Sequence, residues 1–256
     1  MNWGYDYDTL SEYGLKHPIE IPIESHPHAL ITGASGSGKS TAVLYSQGSA
    51  LKADPRLEIT FADFKKSEEF AFLKTYKRYY AGESCYDGVT QFYAEFCKTR
   101  EAGGRPDKKR LLIIDEYPAF ISYMQTMDKN DKTKRSNEIL SIVSEVLMLG
   151  RGLNNFIWIV CQRADSSWFT SGSRDNFMIR CCLGNISKEQ KTMLFSGEEL
   201  PERIYKPGQG VLHADGKEIM QIIFPRITDL DNWKGHILKI LNNNTASTDD
   251  EALPRK

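Results

Sequence analysis

Residues Gly33 to Ser40, "GASGSGKS", set three glycines, a lysine and a serine at the spacing of a backbone loop that wraps an anion. Glycines let main-chain N–H groups converge on phosphate oxygens, and a helix beginning at the lysine adds its positive end. The expected contact set is Gly33, Ala34, Ser35, Gly36, Ser37, Gly38, Lys39, Ser40 and Thr41. Within it Lys39 reaches the β and γ phosphates, and the Ser40 hydroxyl serves Mg²⁺. A bare glycine-rich turn needs neither the lysine nor the flanking strand and helix. The segment is therefore read as a site for ATP with Mg²⁺.

Whether the nucleotide is only bound or also cleaved depends on "KRLLIIDEYPAF", an apolar strand that ends in two carboxylates. Asp115 is placed to hold Mg²⁺, and Glu116 is the candidate base that orients an attacking water. Successive strand residues face opposite ways, but Glu116 comes where the strand pattern ends, so both can reach one site. A third strand, "FIWIVCQR", ends in Gln162, a candidate sensor of the γ-phosphate, because ligands collect at the carboxyl ends of strands in such sheets.

These residues need a scaffold, and the chain spells one out. Strand-length apolar runs ("HALIT", "LEITFA", "LLIID", "FIWIVC", "FMIRCCL") alternate with helical patterns, the mark of an α/β fold with a mostly parallel sheet flanked by helices. "NEILSIVSEVLML" carries Ile139, Ile142, Val143, Val146 and Leu147 on one stripe, a core-facing helix. "GQGVLHADGKEIMQIIF" reads as a C-terminal β-hairpin, with a last helix around "DLDNWKGHILKIL". The expected division is an N-terminal extension over 1–27 packed on the core, an ATPase domain over 28–241 and a disordered polar tail over 242–256.

The 256 residues carry 33 basic and 34 acidic side chains, a net charge of −1, so any nucleic-acid contact must be local. The five cysteines show no C-x-x-C spacing, which favours a reducing cytoplasm and argues against zinc. There is no apolar run of membrane-spanning length and no signal-peptide pattern at the N-terminus, so a cytoplasmic location is expected.

In order and spacing the motifs resemble those of the FtsK/SpoIIIE branch of the FtsK–HerA motor ATPases, over roughly residues 20 to 240. "PHALITGASGSGKS" is similar to the family's Walker A segment, "FADFKKSEEF" to its aspartate-and-lysine motif, and "LLIIDEYPAFI" to its Walker B strand. "GRGLNNFIWIVCQRAD" resembles its arginine-containing helix end, sensor strand and glutamine-arginine pair. Two departures stand out, Asp-Phe-Lys in place of the commoner Asp-Pro-Lys, and Ala164 where a proline is usual.

The resemblance implies a RecA-like core with the phosphate-loop, sensor and Walker B strands adjacent. It further implies a hexameric ring that moves double-stranded DNA, with ATP between subunits and an arginine supplied by the neighbour, Arg151 or Arg100. The small single-domain form resembles motors of conjugative and other mobile elements, with a relaxase or membrane protein as a possible partner. The alternatives are an ATPase powering protein secretion and a nucleotide-gated assembly module.

Candidate DNA contacts lie in the stretch "MDKNDKTKRSN", read as a polar loop. There Lys129, Lys132, Lys134 and Arg135 outnumber Asp128 and Asp131 by two charges. A second loop, "DSSWFTSGSRDN", offers Arg174, with Trp168 and Phe169 read as packing residues. A mixed-charge solvated loop is the plainer reading of the first. His17, His26 and His28 lack ligand partners at metal spacing and are read as incidental.

Overall fold

In the central strands, alternate residues feed two separate cores. Leu111, Ile113, Phe156, Trp158 and Val160 enter one core, and Leu112, Ile114, Ile157, Ile159 and Cys161 enter the other. A strand buried on both faces reads as an unbroken apolar run, which is why the sheet is legible in the sequence.

The computed structural model describes residues 1–251. Its elements are β1 (Asn2–Asp6), α1 (Tyr7–Tyr13), β2 (Pro18–Glu20), β3 (Ala29–Gly33), α2 (Lys39–Ala53), β4 (Glu58–Asp63), β5 (Tyr79–Ala81), α3 (Cys85–Ala102) and β6 (Arg110–Asp115). They continue with α4 (Tyr117–Asp131), α5 (Arg135–Leu149), β7 (Asn155–Cys161), β8 (Ile179–Leu183), α6 (Lys188–Leu194), β9 (Gln209–Ala214), β10 (Met220–Ile223) and α7 (Leu230–Glu251). Ten strands form one sheet in the order β2-β1-β10-β9-β8-β3-β7-β6-β4-β5. The pairings from β8 through β5 are parallel, and those from β8 out to β2 are antiparallel. The phosphate-loop strand β3, the sensor strand β7 and the carboxylate strand β6 are adjacent, as the RecA-like expectation requires. The hairpin β9–β10 is present and turns at Ala214–Lys217.

Helices α2 and α7 cover one face through Val43, Leu51, Ile237 and Leu241. Helices α3, α4 and α5 cover the other through Phe92, Phe96, Phe120, Ile121, Ile139, Val143 and Val146. Residues 1–27 add β1 and β2 to the sheet, with β1 paired to β10 and Trp3 packed 5.2 Å from Trp158, ring centre to ring centre.

Two expectations need correction. Residues 242–251, expected in a disordered tail, continue α7. The helix is anchored by buried Leu241 and by Asn244 Nδ2, which donates to the Leu57 carbonyl at 3.1 Å. Residues 252–256 of that tail lie outside the described residues. The stretch 127–137 is a tight helical hairpin, not a loop. Lys129 belongs to α4, Arg135 opens α5, and residues 132–134 turn between them. The physical reason is Asp128, whose carboxylate accepts from the Thr133 hydroxyl, the Arg135 and Ser136 amides and the Ser136 hydroxyl, while Lys132 adopts a left-handed φ of 54°.

Candidate functional site

The phosphate loop leaves β3 at Gly33 and enters α2 at Lys39, with no side-chain cap on the helix. The amides of the first turn therefore meet no capping side chain and can face an anion, while the Ser37 amide donates to the Ala34 carbonyl at 3.1 Å within the loop. Two glycines are required sterically. A Cβ on Gly33 would lie 2.5 Å from Ser37 Oγ and 2.6 Å from the Leu183 carbonyl, and one on Gly38, at φ 94°, would lie 2.6 Å from the Gly208 amide. That approach is used: the Gly208 N–H donates to the Ser37 carbonyl at 2.8 Å, tying the loop to the segment before β9.

Lys39 is 9% exposed and donates through Nζ to the carbonyls of Gly33 (2.7 Å) and Ala34 (3.1 Å). Burial lowers its pKa, opposed by the nearby charges of Glu116 and Asp115. The ammonium thus sits inside the loop with charge to spare for an anionic ligand.

Glu116 caps α4 in the left-handed conformation, φ 52°. That turn ends the strand alternation and lets Asp115 and Glu116 line one cleft of about 390 Å³ with Gly36, Gly38, Lys39 and Ser40. Asp115 is 5% exposed, and its carboxyl is pushed up to about 7, first by burial and then by the carboxylates of Asp63 and Glu116. Asp63 is the register partner of Asp115 on β4. One of its oxygens accepts from the Ser67 amide and the Tyr79 hydroxyl, both at 2.8 Å, and the other is buried with no protein partner. A hydroxyl and an electrostatically crowded carboxylate are hard oxygen donors, so Ser40 and Asp115 fit Mg²⁺.

Gln162 directly follows β7, the strand between β3 and β6, but is not among the residues that line this cleft; its side chain is exposed and its carbonyl accepts from Gln190 Nε2 at 3.2 Å. Arg100, in the last turn of α3 before β6, and Arg151, in the turn before β7, lie toward the amino-terminal ends of these strands, opposite the phosphate loop. Arg100 pairs with Glu145 and stands over Phe96, one residue from Thr99, whose hydroxyl accepts from Arg110 at the start of β6. Arg151 is exposed in the turn that precedes β7. A six-residue strand spans about 17 Å, so neither arginine reaches the phosphate loop of its own chain. Arg135 stacks over Tyr86 at 5.2 Å, and Arg174 is half-buried in the segment where Phe169 packs between Tyr117 and Phe177.

Among the cleft residues, Lys65 is the lysine of the Asp-Phe-Lys match, whereas Ser67, Glu69 and Pro207 were not singled out from the sequence. Lys65, Ser67 and Glu69 come from "FADFKKSEEF", where only the resemblance to the family's aspartate-and-lysine motif, not composition, tells Lys65 from Lys66. The structure separates them through Asp63, which accepts from the Ser67 amide, and through the left-handed φ of 59° at Lys66. His28, read as incidental, is buried, and its Nδ1 accepts from the Ile157 amide at 3.2 Å, linking β3 to β7. Its pKa falls to about 3, through burial and then the nearby Arg151 charge, so the ring is neutral.

No family model matches the chain. The FtsK domain-containing protein YdcQ of Bacillus subtilis (strain 168) is 32% identical over 209 residues, which is 75% of this chain and 42% of that protein. The chain thus spans less than half the length of this relative. Among solved structures it is similar to EssC (ATPases 2 and 3) from Geobacillus thermodenitrificans, with a TM-score of 0.70 and 13% identity over 96% of this chain and 49% of that one. It is also similar to the pCW3 conjugation coupling protein TcpA in its monomer form with ATPγS, with a TM-score of 0.66 and 20% identity over 93% of this chain and 74% of that one. At these identities the two structures establish the fold.

Proposed function

From the premise that this chain belongs to the FtsK-domain ATPases, we propose that it hydrolyses ATP and spends the turnover on moving double-stranded DNA through a hexameric ring of its copies. The observation that carries the chemistry is the convergence of the phosphate loop, Lys39, Asp115 and Glu116 on one cleft. Backbone amides of residues 33–41 and the Lys39 ammonium bind and orient the triphosphate. Ser40 and Asp115 would hold Mg²⁺, which neutralises charge developing on the phosphates. Glu116 orients a water in line with the γ-phosphate and accepts its proton, while Gln162 at the end of β7 senses the γ-phosphate.

A neighbouring subunit supplies an arginine to the same phosphate. Arg151 is the better candidate, since Arg100 is engaged by Glu145 and Phe96. DNA phosphates are met by Lys129, Lys132, Lys134 and Arg135 of the helical hairpin and by Arg174, contacts that are indifferent to base sequence. Conjugative or mobile-element DNA processing in the cytoplasm is the proposed setting, with a relaxase or membrane protein as partner; the fold is shared with the pCW3 conjugation coupling protein TcpA. Among the described residues no helix is long and apolar enough to cross a membrane. A second reading, protein export, is favoured by the near-neutral net charge.

The test is ATP turnover with long linear duplex DNA, short duplexes and no DNA, at low and high salt. Stimulation that grows with duplex length and falls with salt supports translocation. An assembled, hydrolysing ring with no DNA response at low salt overturns it in favour of export.

A further inference from the structure

Glu116 and Tyr117 are consecutive, yet they face different surroundings. Glu116 lines the phosphate cleft, and Tyr117, the first residue of α4, is buried in the core covered by α3, α4 and α5. The Tyr117 ring stacks on Phe169 at 5.9 Å with an interplanar angle of 26°, and Phe169 meets Phe177 edge-on at 5.3 Å. Phe169 belongs to the 163–176 segment, which lies in the connection from β7 to β8 and carries Arg174. Between Gln162 and Phe177 the buried side chains among the described residues are Ala164, Phe169 and Ser173, so Phe169 is the large apolar anchor of a segment that is otherwise mostly exposed.

We propose that Phe169 is a positioning residue for Glu116, acting through Tyr117, and that the three rings form a relay coupling the phosphate cleft to the 163–176 segment. The inference rests on the reading of Glu116 as the group that faces the γ-phosphate, and adds a route from that carboxylate to a surface segment. Tyr117 is bonded to Glu116 and locked into the first turn of α4, so a turn of the Glu116 backbone carries the Tyr117 ring with it. In a close-packed core that ring cannot move without its neighbour, and the displacement reaches Phe169. Phe177 is the fixed end of the stack, because the residues after it are held in the sheet: the Met178 carbonyl accepts from the Asp215 amide at 2.9 Å, and the Ile179 amide donates to the His28 carbonyl at 3.0 Å. Movement is therefore delivered to the 163–176 segment and to Arg174 within it. Coupling of this kind is reciprocal, so a phosphate backbone held by Arg174 would act back on Glu116.

Two features of this joint place a second arrangement close in energy. Glu116 holds a left-handed φ of 52°, a conformation unfavourable for a residue with a Cβ and kept only by its surroundings. The hydroxyls of Tyr117 and Ser173 are both buried without a protein partner among the described residues, the first on the relay itself and the second in the turn that follows Phe169. A shift that gives either hydroxyl a partner recovers a hydrogen bond and offsets the cost of moving the rings.

The experiment follows amide hydrogen exchange over 33–41 and 163–176 with and without ATPγS and Mg²⁺, beside kcat and KM for ATP, in the parental chain and in the Phe169→Leu and Tyr117→Phe variants. In the parental chain ATPγS should slow exchange of both stretches, by at least about threefold over 163–176, although no residue of 163–176 lines the cleft. Phe169→Leu keeps an apolar side chain but not the ring. It should retain the protection of 33–41, which reports a folded phosphate loop, and a KM near the parental value. It should lose the protection of 163–176 and lower kcat by about tenfold, the effect of a misplaced Glu116. Tyr117→Phe keeps the ring and drops only the unpartnered hydroxyl, and should keep the protection of both stretches. The relay is overturned if ATPγS leaves 163–176 unprotected in the parental chain, if Phe169→Leu is protected there as the parental chain is, if that variant changes KM alone, or if Tyr117→Phe loses the protection of 163–176. A parental chain in which ATPγS protects neither stretch overturns the nucleotide reading itself, and the relay with it.

Discussion

Replacing Asp115 by Asn should stabilise the ligand-free protein at alkaline pH while removing its hydrolytic activity. The Asp115 carboxyl is lifted from its ordinary 3.8 to about 7 by burial and by Asp63 and Glu116. A folded-state pKa above the unfolded value means that this group favours folding fully only below about pH 4. The contribution is lost as pH rises through about 7. A shift of about three units corresponds to at most about 4 kcal/mol, and sharing of protons with Asp63 trims this to about 2 kcal/mol. An Asn at 115 carries no charge, and its amide can donate to the Asp63 oxygen that is buried without a protein partner on the adjacent strand. The assay is thermal unfolding without nucleotide and with EDTA, from pH 4 to pH 9. For a chain of this size about 2 kcal/mol raises the midpoint by roughly 4–8 °C. The gain should be near zero at pH 4 and complete by pH 8. A variant that is destabilised at pH 8, or whose gain does not change with pH, refutes the electrostatic reasoning.

Gly150→Ala should cost about 1–3 kcal/mol in urea unfolding, because its Cβ would sit 2.2 Å from the Asn155 carbonyl, whereas Gly152→Ala, with open space around it, should cost far less. Equal effects of the two would show that the turn before β7 yields freely. Lys65→Met should slow ATP turnover by about tenfold with a smaller effect on ATP affinity, since Lys65 lines the cleft with Lys39 and adds charge where the transition state develops it. Unchanged turnover in steady-state kinetics would remove Lys65 from the site.

Strands β3, β6 and β7 were legible because burial on both faces writes an unbroken apolar run, and the phosphate loop because its chemistry admits few alternatives. Asp115 and Glu116 could be read as a pair only because the strand pattern stops between them, and the left-handed turn at Glu116 is how the chain achieves this. Other features depend on particular contacts, local or distant, that the hydrophobic pattern does not record. Short strands β1 and β2 lack alternation and exist by pairing with β10 and with each other. The polar end of α7 stays helical because its apolar start is pinned at Trp233, Ile237 and Leu241. Charge counting over 127–137 could not show that Asp128 is consumed as the cap of α5. The cleft position of Lys65 depends on Asp63, whose carboxylate holds the following turn from the end of β4.

Hydrolysis rests most directly on Glu116 as the group that orients the attacking water. The measurement is single-turnover ATP hydrolysis by Glu116→Gln beside its equilibrium affinity for ATP with Mg²⁺. With Glu116 as the base, the variant should keep parental affinity while its hydrolysis slows by about 10²–10⁴-fold. Hydrolysis at the parental rate, with nucleotide bound normally, would contradict it.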